Sequence, residues 1–154
     1  QLEIEITESV LIDSMEDSIR KLKELETLGV HLSLDDFGTG YSSLTYLRQL
    51  PVGTVKIDKS FIERITKDSS RSALIAAIIN MSHILGLNVV AEGVETPDQL
   101  DKLAEYNCDV IQGYVISKAL PEQEAIAILR NTWLPNQVAC MTAESLFRMA
   151  GEME

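Results

Sequence analysis

Two periodicities of apolar residues alternate along the whole chain. Short segments with every second residue aliphatic predict β-strands, and longer segments with apolar residues three and four positions apart predict amphipathic helices. The predicted strands are 2–6, 30–35, 54–58, 87–92 and 109–112. The predicted helices are about 13–28, about 70–85, a third that opens at Thr96, and about 121–130. This alternation favours an α/β fold with parallel strands.

The two faces of the first four predicted strands differ in polarity. One face is aliphatic from Leu2 onward, and the other carries residues such as Glu5, Asp35, Lys56 and Glu92. An open parallel sheet covered by helices on both sides would need two apolar faces. A barrel accepts one aliphatic face under its helices and a mixed inner face, with charged groups at the C-terminal strand ends. We therefore predict an incomplete (β/α) TIM-type barrel, with about five βα units of the usual eight and two open sheet edges.

One domain and a tail account for the length. The chain has 154 residues, 45% hydrophobic and 24% charged, which is the balance of one compact domain. The alternating pattern ends near Trp133, so we expect the barrel units in 1–132 and a C-terminal tail in 133–154. The chain starts at Gln1 without an initiator Met and a strand pattern already runs at Leu2, so about three further barrel units are expected upstream in a longer protein.

Net charge narrows the class of ligand. A charge of -11 argues against DNA or RNA as a partner, because such polymers are bound by clustered Lys and Arg. A small phosphorylated ligand stays compatible if metal cations bridge it to the protein. The sequence shows neither an apolar run long enough to span a bilayer nor a signal peptide, so a cytoplasmic location is expected, although an upstream part could carry a membrane anchor.

Zinc and disulfide chemistry are not indicated by the cysteines and histidines. Cys108 and Cys140 have no CxxC spacing, and neither His31 nor His83 has a second His or Cys at ligand spacing. Structural roles are predicted for all of them.

Charged residues are predicted to meet at the C-terminal ends of the strands. Clustered carboxylates repel one another unless cations bind them, and divalent ions turn such a cluster into a stable site. Donor sets made only of oxygen atoms suit Mg²⁺ or Mn²⁺ better than zinc. Two such ions can activate water and stabilise the leaving oxygen of a phosphodiester. The convergence of Glu5, Asp35, Asp36, Lys56 and Glu92 therefore favours metal-dependent phosphodiester chemistry.

Each of these residues also has a purely structural interpretation. Glu5 and Glu8 can be solvated charges at the edge of a strand, and Lys56 can face solvent, as such residues commonly do. The pair Asp35 and Asp36 can form a turn before Phe37, because Asp bonds its own backbone well. Taken singly, the residues leave both interpretations open.

Five short motifs occur in a fixed order along the chain. They are EITES at 5–9, DDFGTGYSSL at 35–44, KIDKSF at 56–61, AEGVET at 91–96 and QGY at 112–114. Each is weak alone, but their order and spacing together are specific. From about residue 2 to 130 the chain resembles the EAL phosphodiesterase family. The Glu-Ala-Leu tripeptide that names the family is absent, and with it one metal-ligating Glu, the downstream Asn ligand and an Arg expected to bind the substrate phosphate, all of which the resemblance assigns to an upstream part.

The resemblance implies roles for individual residues. Those implied to ligate metal are Glu5, Asp35, Asp36 and Glu92, those implied to act in catalysis are Lys56, Glu92 and Gln112, and those implied to bind substrate are Asp36, Lys56 and Glu95. Glu8 is implied to anchor the signature loop, and Gly38 and Gly40 permit the loop's tight path. Ile116 and Ala119 replace a usual aromatic residue and a usual Pro, which affects packing rather than catalysis.

The resemblance further implies hydrolysis of cyclic di-GMP to linear pGpG with two Mg²⁺ or Mn²⁺ ions, and inhibition by Ca²⁺. It also implies a homodimer through the signature loop and the adjacent helix, and an upstream sensor or GGDEF-type domain. Two alternatives stay open: a non-catalytic cyclic di-GMP receptor, and an inactive fragment of a barrel.

Overall fold

The computed structural model describes residues 2–7, 15–38 and 47–132. The elements in these segments are β1 (Glu3–Thr7), α1 (Met15–Thr27), β2 (His31–Phe37), β3 (Thr54–Ile57), α2 (Lys59–Ile62), α3 (Ser69–Ile84), β4 (Asn88–Glu92), α4 (Pro97–Glu105), β5 (Val110–Gln112) and α5 (Glu122–Thr132). All the predicted strands and helices are confirmed, with ends displaced by one or two residues. The short helix α2 was not predicted, because four residues cannot display a helical period of apolar positions.

All five strands form one parallel sheet in the order β1-β2-β3-β4-β5. Ile4 pairs with Leu32 in β2, and Val55 of β3 pairs with Val89 of β4. Each strand lies beside its neighbour in sequence, so the order lacks the reversal that creates the ligand crevice of doubly wound sheets. Sequential parallel order is the arrangement of a (β/α) barrel. The described part of the chain is therefore a partial barrel, with β1 and β5 as its outer strands.

The aliphatic face of the sheet forms the core under the helices. Side chains with no solvent exposure include Leu34, Val55, Ile57, Val89 and Ala91 from the strands and Ile75, Ile79 and Leu103 from the helices. The prediction of an aliphatic face is thus confirmed for β2, β3 and β4. It is wrong at Leu2, which is 61% exposed because it precedes the outermost strand, where fewer neighbours cover a side chain.

Helix α4 begins with the predicted capping box. The amide of Gln99 donates to the hydroxyl of Thr96 at 3.4 Å, and the amide of Thr96 donates to Oε1 of Gln99 at 3.0 Å. Pro97 occupies the first turn, where its missing N–H costs nothing. The same Gln99 oxygen accepts a hydrogen bond from the amide of Glu95 at 2.8 Å, so the cap also holds the loop that follows β4.

Helix α5 is the last described element, and the tail 133–154 lies outside the described residues. The division of the chain at residue 132 stays a prediction. None of the helices in the described segments is long and apolar enough to cross a membrane.

Candidate active site

Strand β2 carries a β-bulge at its two aspartates. Leu34 pairs with Val55 and Phe37 with Ile57, so two residues of β2, Asp35 and Asp36, lie opposite the single residue between Val55 and Ile57. The backbone of Asp36 has φ of 55°, the left-handed region that Asp adopts more readily than most residues. The bulge therefore places two successive aspartates opposite one position of β3.

That position is Lys56, whose ammonium is the centre of the site. Its side chain is only 8% exposed, which rules out the solvent-facing interpretation. Nζ lies 2.5 Å from Oε1 of Glu5, 2.6 Å from Oε1 of Glu92 and 3.6 Å from Oδ1 of Asp35. Because parallel strands present the same ends at one edge of the sheet, β1, β2 and β4 bring three carboxylates to one lysine from β3.

The carboxylates keep this buried lysine charged. Burial lowers the pKa of Lys56, but hydrogen bonds to Glu5 and Glu92, together with the charges of Glu92 and Asp35, outweigh burial and raise the pKa above its usual value. Lys56 is therefore an ammonium at neutral pH, which can donate hydrogen bonds to an anion and cannot act as a general base.

Gly38 forms the beginning of the signature loop. Its φ of +97° is unfavourable for other residues, and a Cβ there would lie 3.0 Å from the ring of Phe61 in α2. The positive φ thus favours glycine at this position, and the ring of Phe61 leaves little room for a side chain. Glu8 and Gly40 lie outside the described residues, as does the rest of the loop from 39 to 46, and their roles stay predictions.

Gln112 lies at the end of β5, and Glu95 lies three residues after the end of β4. Gln112 pairs in register with Glu92 at the end of β5, and its side chain is exposed on this outer strand. The carboxylate of Glu95 accepts a hydrogen bond from Nζ of Lys59 at 2.6 Å. Nothing in the sequence pattern singled out Lys59, because its partner lies 36 residues further along the chain.

The carboxylates around Lys56 suit a hard divalent cation by their chemistry. All donors are oxygen atoms, and three of them already converge on one point of positive charge. As they stand, no three acidic, His or Cys side chains in the described segments are arranged to ligate a single ion. The cation that these carboxylates surround here is the Lys56 ammonium, so a bound metal would share them with it.

The fold is a partial (β/α) barrel, and the ends of its strands carry three carboxylates around one lysine. This is an α/β domain with a candidate active site at the strand ends. The sequence profile of the EAL domain matches residues 1–119, which is most of the chain. The chain belongs to the EAL domain family.

A curated relative is similar in sequence, and a solved structure is similar in both sequence and fold. The cyclic di-GMP phosphodiesterase NbdA of Pseudomonas aeruginosa is 51% identical over 120 residues, which are 78% of this chain and 15% of that protein. The PaMucR phosphodiesterase, solved in complex with c-di-GMP, is 40% identical with a TM-score of 0.76 over 80% of this chain and 50% of that one.

Metal-containing structures also match. Klebsiella pneumoniae BlrP1, solved with c-di-GMP and either manganese or calcium, is 33% identical with a TM-score of 0.71 over 77% of this chain and 30% of that one. The chain thus spans about half of the PaMucR structure and a much smaller share of NbdA.

Proposed function

We propose that this chain supplies part of a site that hydrolyses cyclic di-GMP to linear pGpG. The observation that carries the proposal is the buried Lys56 ammonium, held among the carboxylates of Glu5, Asp35 and Glu92 at the mouth of a partial barrel. The EAL relatives support the choice of substrate, since NbdA is named as a cyclic di-GMP phosphodiesterase and PaMucR was solved with c-di-GMP.

Glu5, Asp35, Asp36 and Glu92 are the residues that would hold two Mg²⁺ or Mn²⁺ ions. Such ions, when bound, activate water and neutralise the charge on the phosphate. The oxygen-only donor set supports this assignment, as do the manganese and calcium complexes of BlrP1. We further propose that Ca²⁺ inhibits, because its longer bonds and looser geometry place ligands less strictly than those of Mg²⁺.

Lys56 has the charge and position to bind the scissile phosphodiester. The chain as a whole carries a charge of -11 and repels an anionic substrate, so a fixed ammonium at the site would have a large local effect. Lys56 can donate to a phosphate oxygen or to the attacking water, while Glu92 and Asp35 orient it. Substrate contact by Asp36 and a supporting catalytic role for Gln112 belong to the same proposal.

The proposal is tested by product analysis. Cyclic di-GMP is incubated with Mn²⁺ and either the 154-residue chain or the full-length protein, and pGpG is measured by chromatography. We expect product from the full-length protein and none from the chain alone, because the described residues hold no complete ligand set for a metal ion. Absence of product from both would contradict the proposal.

Asp35→Asn provides the matching test of the site. The substitution keeps the shape of the side chain and removes its charge, so we expect hydrolysis by the full-length protein to be abolished. Undiminished turnover in Asp35→Asn would refute the proposed ligand set.

A non-catalytic receptor of cyclic di-GMP is the second candidate. Binding of cyclic di-GMP in Ca²⁺ without hydrolysis in Mn²⁺ would support the receptor. Homodimerisation through the signature loop, an upstream sensor or GGDEF-type domain, and a cytoplasmic location stay predictions.

A further inference from the structure

The segments that follow β3 and β4 begin next to each other, because the two strands are neighbours in the sheet. Directly after β3, the side chain of Asp58 caps helix α2 by accepting a hydrogen bond from the amide of Ser60 at 3.0 Å. Lys59 is the first residue of α2 and follows Lys56 by three positions. On β4, the chain turns at Gly93 directly after Glu92. The two segments therefore start from two side chains whose charged atoms are 2.6 Å apart.

The aliphatic part of Lys59 lies against Gly93. Gly93 has φ of +66°, and a Cβ at this position would be 2.5 Å from Cγ and 2.7 Å from Cβ and Cδ of Lys59. Such distances are far below van der Waals contact, so any side chain at position 93 would displace the lysine. Gly93 is thus needed for its backbone conformation and for this close approach.

The charged end of Lys59 binds Glu95. Nζ lies 2.6 Å from Oε1 of Glu95, and both side chains are about half exposed. The amide of Glu95 donates to Oε1 of Gln99 at 2.8 Å, which connects the pair to the capping box of α4. Lys59 therefore reaches from α2 across the loop after β4 to the beginning of α4.

An exposed ion pair adds little to the free energy of unfolding, but this pair joins the two segments that follow Lys56 and Glu92. We infer that Lys59 and Glu95 are positioning residues, which hold α2 to the loop after β4 and so keep Lys56 next to Glu92. The inference rests on the proposed function, in which Lys56 and Glu92 act on the phosphodiester. It gives Glu95 a positioning role in place of the predicted contact with substrate.

Charge reversal separates the two roles of Glu95. Lys59→Glu and Glu95→Lys each bring like charges together, and the double variant restores an opposite pair. In the full-length protein we expect each single variant to lower kcat for cyclic di-GMP about tenfold with a smaller change in KM, because small displacements of reacting groups cost up to about 100-fold in rate. The double variant should recover most of kcat. A Glu95 that contacts substrate would not be rescued by Lys59→Glu.

Lys102 and Glu105 provide the matched control. They form an exposed pair at 2.7 Å on α4, within one helix and away from Lys56. Reversal of either charge, or of both, should leave kcat unchanged. A loss equal to that of Lys59→Glu would show a general effect of surface charge and would overturn the inference.

Hydrogen exchange gives a readout that does not depend on activity. The amides of Phe61 and Val94 are bonded to Asp58 and Gln112, so both segments should be protected in the wild type. We expect faster exchange across 59–62 and 93–96 in each single variant and recovery in the double variant. The inference would be refuted if exchange across 59–62 and 93–96 were unchanged in both single variants. It would also be refuted if the double variant exchanged as fast as the faster single variant. A wild type that lacks hydrolysis would instead refute the proposed function, and exchange would still test the pair.

Discussion

The centre of the sheet and its outer strands support their polar side chains differently. In the centre, Lys56 of β3 and Glu92 of β4 have a strand on either side, are largely buried, and contact each other at 2.6 Å. On β1, Glu5 reaches the same lysine and is still 52% exposed, and on β5 the side chain of Gln112 is exposed. A strand with two neighbours has its side chains packed from both sides. The buried part of the site therefore lies on the central strands. The outer strands add Glu5 and Gln112, whose side chains are exposed to water.

Removal of the central ammonium should have the largest effect. Lys56→Met keeps the length of the side chain, and leaves Glu5, Asp35 and Glu92 without the cation between them. We expect hydrolysis of cyclic di-GMP by the full-length protein to fall about 100-fold or more, as when a donor to developing charge is lost. Lys67→Met, in an exposed turn, serves as the control. Near-normal hydrolysis by Lys56→Met would show that Lys56 is not needed for the reaction.

The same substitution in a central and an outer strand should differ in its effect on stability. Val89 of β4 is fully buried, whereas Val110 of β5 is 49% exposed. We expect Val89→Ala to lower the free energy of unfolding by about 2 kcal/mol through lost burial and a residual cavity. Val110→Ala should change it by less than about 0.5 kcal/mol. Urea unfolding measures both, and equal losses would mean that β5 is covered as fully as β4.

The bulge in β2 gives a smaller and more specific prediction. Asp36 has a positive φ, which Asn and Gly tolerate and Ala does not. We expect Asp36→Ala to be less stable than Asp36→Asn by about 1 kcal/mol in urea unfolding, because only Ala adds backbone strain. Asn107, with φ of 59°, is a matched position outside the site, and Asn107→Ala should show a similar cost. Equal stability of the two Asp36 variants would argue against the left-handed conformation.

Cys108, just before β5, tests how well the outer strand is covered. Burial raises the pKa of its thiol to about 11, and its Sγ lies 3.6 Å from the carbonyl oxygen of Val89. In a Cys140→Ser background we expect slow alkylation by iodoacetamide at pH 8, which accelerates only as pH approaches 11.

The free energy of unfolding should depend on the ionisation of the same Cys108 thiol. The unfolded thiol ionises near pH 8.5, so the stabilisation from the neutral buried thiol is complete below that pH. It is lost as pH rises toward 11, because only the unfolded chain gains charge in that window. Cys108→Ala should remove this part of the pH dependence, and rapid alkylation of the folded protein at pH 8 would contradict the burial.

Much of the fold was predictable because its elements depend on local pattern. Aliphatic alternation identified the strands, and Thr96 with Gln99 identified the cap of α4. The polar strand ends also predicted that Glu5, Asp35, Lys56 and Glu92 meet, and the described geometry brings them together. Their roles as ligands and catalysts stay proposals. The exposure of Leu2 was missed, because an alternating pattern is the same in a central and an outer strand.

The amino-acid sequence by itself determined the succession of strands and helices along the chain and the polarity of the faces of the central strands. These properties depend on each residue and its near neighbours. Only the tertiary structure decided that Lys56 is buried among carboxylates, that Asp35 and Asp36 share a bulge, and that Lys59 binds Glu95 across Gly93. Glu5 lies 51 residues from Lys56, and Glu95 lies 36 residues from Lys59, so these contacts depend on the order and register of the strands in the sheet, which local pattern does not specify.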